Sequence, residues 1–436
     1  PGSPAFKSGM MNAGDKLVAI KWDEQKPIDV SDASVEEVSV ILDASNHAKA
    51  TLTIQKSDGT KREVVLYKEQ QTTDEDEDKV KSFILKGAKK IGYIYLPSFY
   101  EDWEDKARVN GCANDVAKEI VKLKKDKIDG LILDIRYNGG GSVQEAVDLA
   151  GIFIDAGPLT QMKRKEAKPV TLKDMNRGTI YDGPLAVLVN GYSASASELL
   201  AGAMQDYNRA VIMGTSTYGK ATGQRILPLD TTIDLSSDLR NINTTAYLKL
   251  TLSQVFRVSG TTAQFSGIVP DIHIPDFSEA MKNKEKDELF AIPASAIEAN
   301  KYYLPLAPLP IATLKAKAAE LQQKDTFFRR IENYITAKRK AKEQSSVSLK
   351  LTDYLKMQSS ADEGDEEVDE DETTSENDVS ATATQPAIFT VENNSFEADR
   401  IQKDKTKLLI SQQQIKRFAD SHYLKLVYGV LLEMIK

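Results

Sequence analysis

Three serines and one lysine carry the chemistry open to this chain. From Asn190 the sequence reads N-G-Y-S-A-S-A-S-E-L-L-A-G-A-M-Q-D-Y, and from Arg209 to Gln224 it reads R-A-V-I-M-G-T-S-T-Y-G-K-A-T-G-Q. An apolar run, Leu185 to Val189, leads into Ser193, Ser195 and Ser197. A strand that ends in small hydroxylated residues ahead of a helix holds a nucleophile at a sheet edge, close to helix N–H groups. No histidine lies between His47 and His273, so a local Ser-His-Asp triad is excluded and Lys220 is the nearest base. A lysine works as a base only when neutral, which costs about 4 kcal/mol relative to a solvated ammonium near pH 7. Burial among apolar and small groups can supply that penalty, Gly219, Ala221 and Ile226 offer no carboxylate, and Gln224 offers a neutral hydrogen bond that does not favour the charged form.

Each feature also has a plainer reading. Ser195 with Glu198 three residues on forms a helix capping box, and a serine can cap and react at once. Gly214-Thr-Ser-Thr-Tyr-Gly219-Lys220-Ala221 nearly spells a phosphate-binding loop. That loop needs Ser or Thr after the lysine to hold magnesium, where Ala221 stands, and a following helix that Gly223 and Pro228 interrupt. Nucleotide binding is therefore the weaker alternative. Asn138-Gly139-Gly140-Gly141, between an apolar run and a helical pattern, either exposes backbone N–H groups to an anion or simply turns the chain.

The elements that must hold these groups alternate. Ile91–Leu96 and Leu131–Ile135 read as strands, and Val116, Ile120, Val121 and Leu123 form a helical stripe. Ala146, Val147, Leu149 and Phe153 mark a second helix. Strand and helix in alternation give an α/β core. Residues 246–257 and 268–275 read as closing strands. Before this core, Lys16–Ile20 is a strand, Val35, Val38, Ile41 and Leu42 recur at helical spacing, and Ser57-Asp58-Gly59-Thr60 joins a hairpin. Beyond Pro293 the chain turns helical, with Leu314, Leu321, Phe328 and Ile335 every seven residues. Residues 396–435 form a last helical region with an apolar end.

Composition narrows the classes. The 436 residues suffice for two or three domains, and 41% hydrophobic content fills real cores. The net charge of −8 is local, since ten acidic residues and no basic one stand between 362 and 376. The rest of the chain has no basic excess suited to nucleic acid. The single cysteine, Cys112, rules out an internal disulfide. No apolar run reaches 18 residues, so no transmembrane helix is expected. The charged run Asp74–Asp78 reads as a linker, and the acidic segment reads as low-complexity chain.

Four blocks together resemble one family, the carboxy-terminal processing proteases, most of all their bacterial tail-specific branch. The blocks are Leu131-Ile-Leu-Asp-Ile-Arg-Tyr-Asn-Gly-Gly-Gly141, Gly191-Tyr-Ser-Ala-Ser-Ala-Ser-Glu198, Gln205-Asp-Tyr207 and Thr217-Tyr-Gly-Lys-Ala-Thr-Gly-Gln224. The resemblance implies an α/β serine protease core of the crotonase or Clp-protease kind over 91–280. Around it stand a partial PDZ-like domain over 1–72, a linker over 73–90 and a helical extension over 281–358. An acidic segment over 359–390 and a C-terminal helical region over 391–436 complete the layout. It implies Ser195 as nucleophile, Lys220 as general base, Gln224 as its orienting partner, and an oxyanion hole from Ala196 with Gly140 or Gly141. Asp206 matches a family aspartate and is expected to be structural, since a carboxylate beside the lysine would hold it as ammonium. The implied function is endoproteolysis of proteins with apolar C-terminal tails in the bacterial periplasm or cell envelope. It needs no metal or cofactor and is open to an adaptor or lipoprotein partner. A PDZ-like scaffold without catalysis is the competing class, which Ser195→Ala would separate.

Overall fold

The computed structural model describes residues 3–12, 14–23, 25–43, 45, 47–68, 79–101, 111–230, 246–281, 284–343, 350–352 and 388–436. The expectations for Asp74–Asp78 and for the acidic tract 362–376 lie outside these residues. Two compact units divide the chain, residues 1–77 with 398–414 and residues 78–397 with 415–436.

The first unit holds α1 (Pro4–Ser8), β1 (Lys16–Trp22), β2 (Ile28–Asp29), α2 (Val35–Asp43), β3 (Lys49–Gln55) and β4 (Lys61–Tyr67), with its sheet in the order β2-β1-β3-β4. Ala50, Leu52 and Ile54 alternate inward along β3 to meet Ile20, Trp22 and Val64. The expected hairpin forms between β3 and β4, where Asp58 Oδ1 accepts from the Thr60 N–H at 2.9 Å.

The second unit is built on a seven-stranded sheet. Its strands are β5 (Lys81–Gly87), β6 (Lys90–Tyr95), β7 (Gly130–Asp134), β10 (Leu185–Val189), β11 (Val211–Gly214), β14 (Ile272–His273) and β15 (Phe389–Asn393), in the order β14-β11-β10-β7-β6-β5-β15. From β14 to β6 the neighbours run parallel, whereas β5 and β15 are antiparallel additions at one edge. Parallel strands need both faces covered, which is why β7 and β10 are apolar almost throughout. Leu131, Leu133, Val187 and Val189 face a layer made by α3 (Cys112–Lys125), α4 (Val143–Gly151) and α5 (Ala196–Asp206). Ile132, Ala186 and Leu188 face the opposite layer, made by α6 (Ile311–Lys324), α7 (Thr326–Glu343) and the terminal helix His422–Met434. Each fully buried Leu or Ile contributes about 1.5–3 kcal/mol.

Four expectations change here. β5 lies inside the stretch expected to be linker, because Phe83, Ile84 and Leu85 form a buried run that flanking lysines disguise. The C-terminal region expected to be helical opens instead with β15, whose Phe389 and Val391 join the core. The seven-residue stripe over 314–335 is split into α6 and α7 at Asp325, whose Oδ1 accepts from the Phe327 N–H at 3.0 Å. These helices form the second layer of the central sheet. On α3, Val121 is exposed rather than part of the buried stripe.

A smaller antiparallel sheet, β12 (Thr222–Pro228), β13 (Tyr247–Arg257), β8 (Gly157–Arg164) and β9 (Val170–Asp174), has the order β12-β13-β8-β9.

Candidate active site

Strands β7, β10 and β11 are parallel neighbours, so their carboxyl ends open at one edge of the sheet. The glycine turn follows β7, the serine turn follows β10 and the lysine loop follows β11. Open α/β sheets place ligands at this edge.

The structure separates the three serines by their surroundings. The Ser193 Oγ donates to the Ile135 carbonyl at 2.8 Å and accepts from the Asn190 N–H at 3.0 Å. The Ser197 Oγ donates to the Asn138 carbonyl at 2.8 Å. Both residues are fully buried and committed to the backbone. Ser195 is partly exposed and caps α5 with φ 58° and ψ −109°. Such a backbone costs a non-glycine residue about 1–3 kcal/mol and persists only where its surroundings enforce it. Those surroundings are the Ser193 and Ser197 bonds on either side, the Ala194 N–H bonded to the Asn138 carbonyl at 3.0 Å, and Glu198.

Asn138 joins the glycine turn to this arrangement. Its Nδ2 donates to the Leu96 carbonyl at 2.9 Å and its Oδ1 accepts from the Gly140 N–H at 2.9 Å. Gly140 has φ +101°, and a Cβ there would lie 2.8 Å from both the Ser195 Cβ and the Ala194 carbonyl oxygen. Only glycine lets this turn approach the serine so closely. A Cβ on Gly141, at φ +143°, would run into the Phe99 backbone.

Glu198 binds the serine turn to the lysine loop. Its carboxylate accepts from the Ser195 N–H at 2.8 Å, the Thr217 hydroxyl at 2.6 Å, the Gly219 N–H at 2.7 Å and the Lys220 N–H at 2.9 Å. Burial pushes its carboxyl up to about 7, even though all four hydrogen bonds favour the anion. The role expected of Glu198 is a local cap, and the bond to the Ser195 N–H supplies it. Its three bonds to residues 217–220 go beyond that expectation. The available signal is a lone carboxylate before Leu199, Leu200 and Ala201 on a buried helix, where an acid must find donors.

Ser195 and Lys220 line one cavity of about 30 Å³, whose apolar wall includes Leu159, Leu199, Ala221 and Val255. Among the described residues Lys220 forms no ion pair. Asp206 pairs with Arg257 at 2.6 Å, tying the end of α5 to the end of β13. Gln224 is not in the cavity wall, and its Nε2 donates to the Thr251 hydroxyl at 3.3 Å. A strand, β12, succeeds Lys220 where a phosphate-binding loop requires a helix, so the nucleotide alternative loses its anion site.

Residues 90–274 match the family described as peptidase family S41. The tail-specific protease of Haemophilus influenzae is 32% identical over 302 residues, covering 69% of this chain and 41% of that protein. The carboxy-terminal-processing protease of Bartonella bacilliformis is 34% identical over 195 residues, covering 44% of this chain and 41% of that protein. The chain thus spans about two fifths of the length of these relatives. Among solved structures, a photosystem II D1 C-terminal processing protease is 26% identical, with 63% of this chain and 66% of that chain covered and a TM-score of 0.38. No helix among the described residues is long and apolar enough to cross a membrane. Residues 90–274 are thus similar to peptidase family S41.

Proposed function

We propose that this chain is a serine endopeptidase working through a Ser195–Lys220 dyad. The observation that carries the reading is the shared cavity. Ser195, the one serine of the three held partly exposed in a strained turn, lines it together with a lysine that no described carboxylate pairs. Lys220 Nζ, as the neutral amine, takes the Ser195 hydroxyl proton while Oγ attacks the scissile carbonyl. The resulting ammonium gives that proton to the departing amine, and water then hydrolyses the acyl-enzyme by the same route. The Ala196 N–H, at the first position of α5, holds the oxyanion together with a glycine N–H. Since the Gly140 N–H is bonded to Asn138, Gly141 is the better partner. Gln224 acts on the lysine only if its side chain leaves Thr251 when substrate binds, and Asp206 supports α5 through Arg257.

The substrate class is unfolded protein with an apolar C-terminal tail, in keeping with the tail-specific name of the first relative. A cavity of about 30 Å³ suits a small apolar side chain beside the cut bond. Residues 1–72 are read as a PDZ-like domain that engages the tail, with room for an adaptor or lipoprotein as a further partner. The compartment is the bacterial periplasm or cell envelope, in keeping with the bacterial relatives. Ser195→Ala and Lys220→Ala are each expected to abolish cleavage of an unfolded, apolar-tailed protein, monitored by gel and mass spectrometry. Cleavage retained by Lys220→Ala overturns the dyad.

A further inference from the structure

The chain leaves the cavity along an open strand. Thr222, the first residue of β12, lines the same cavity as Ser195 and Lys220. β12 ends its sheet, and β13 is its only strand partner among the described residues. β8 pairs with β13 only from Ser253 to Arg257. Beyond that point β12 and β13 stand as a two-stranded ribbon, an arrangement of little stability by itself in water.

The ribbon is apolar where it is bare. Leu227 lies opposite Leu248 and Arg225 opposite Leu250, so three leucines share one face, while Ile226, opposite Lys249, lies on the other. Ile226 is 52% exposed, Leu248 46% and Leu250 41%. Strand edges with open N–H and C=O groups recruit extended chains, and natural proteins blunt them unless they serve a purpose. Lys249 is the only lysine on this half of the ribbon, and β12 carries none.

We propose that a substrate polypeptide adds as a strand to the outer edge of β12, with its apolar side chains laid against Leu227, Leu248 and Leu250. This rests on the protease reading above and deepens it. The occupant is substrate because the edge begins at the cavity: Thr222, the first residue of β12, shares its wall with Ser195 and Lys220. The seven residues of β12 offer about 20 Å of edge, enough for about six substrate residues. Only unfolded chain presents such a stretch, so the edge selects for extended apolar sequence beside the cut, separately from any selection at the C-terminus.

The test measures binding of a fluorescein-labelled, unstructured apolar peptide to the Ser195→Ala chain by anisotropy. Replacing Leu248 and Leu250 together by threonine, which keeps strand propensity, is expected to weaken binding by about tenfold. The same peptide with alternate backbone nitrogens methylated, which blocks strand pairing, is expected to lose a similar factor on the unaltered ribbon. Equal affinity in both comparisons overturns the proposal, as does the absence of peptide binding. A change from dimer to monomer in the double variant with peptide affinity intact also overturns it, and assigns the face to a second copy. Peptide binding that depends on the ribbon in a chain that cleaves nothing would sink the dyad and leave the docking edge standing.

Discussion

Lys220 stands between two strands of opposite character. β11, before it, is buried at all four residues and has a parallel strand on each side. β12, after it, is exposed through Gln224, Arg225 and Ile226 and, among the described residues, has a strand partner on one side only. The contrast divides the site into a half that is fixed by packing and a half that is open to a ligand. Electrostatic catalysis needs donors fixed before the reaction, which the buried sheet and its clamped turns supply. Peptide capture needs backbone groups left unpaired, which a packed parallel sheet cannot spare.

The sharpest way to break this contrast is to remove equal side chains from both halves. Leu188 is fully buried in β10 and faces the helical layer of α6, α7 and the terminal helix. Leu188→Ala is expected to cost about 2–5 kcal/mol, by transfer and cavity together. Leu250→Ala, at 41% exposure, is expected to cost within about 1 kcal/mol. Denaturant unfolding of both variants at one pH decides it, and similar losses would mean that the ribbon is packed in solution.

Glu198 gives a second test of the fixed half, through pH. Its carboxyl stands at about 7 in the folded chain against 4.5 when exposed. Below about pH 4.5 it is protonated whether the chain is folded or not. Between 4.5 and 7 only the unfolded chain ionises there, so the stability this group contributes is lost as pH rises. The loss amounts to about 3 kcal/mol and is complete above about pH 7. Glu198→Gln removes the titration, so the stability difference between wild type and variant should be largest near pH 4.5 and shrink toward pH 7. In activity the sign reverses, because the carboxylate that holds Ser195, Gly219 and Lys220 together forms only as pH rises. A rising limb near neutrality that disappears in Glu198→Gln is the expected profile, and an unchanged limb assigns it elsewhere.

Much of the fixed half was legible in the sequence. The apolar run Leu185–Val189 read as a strand, and the serines and glycines after β10 and β7 marked the turns. The near-match to a phosphate-binding loop was resolved by the strand after Lys220, and Gly223 and Pro228 already argued against a helix there. Less legible were contacts between distant parts of the chain. β15 pairs with β5, roughly 300 residues earlier, through backbone bonds and a Glu392–Lys86 pair that leave no local pattern. Gln224 shows a related limit. Its part beside Lys220 was read from its place four residues on and from family likeness, while its hydrogen bond to Thr251 comes from the pairing of β12 with β13.

The two serines that flank Ser195 test how tightly the turn is held. Ser193→Ala leaves the buried Asn190 N–H without its acceptor and removes a donor from the Ile135 carbonyl. Its cost is about 1–3 kcal/mol, the range for an orphaned buried group. Ser197→Ala removes one donor from the Asn138 carbonyl, which still accepts from the Ala194 N–H. Its cost is about 1 kcal/mol. Both variants should cleave substrate, with rates lowered in the same order as their stabilities, because each loosens the clamp and leaves the reacting hydroxyl in place. Stability from denaturant curves and initial rates on one unfolded substrate test the ranking. A variant at Ser197 that lost all cleavage with its stability intact would move the chemistry away from Ser195.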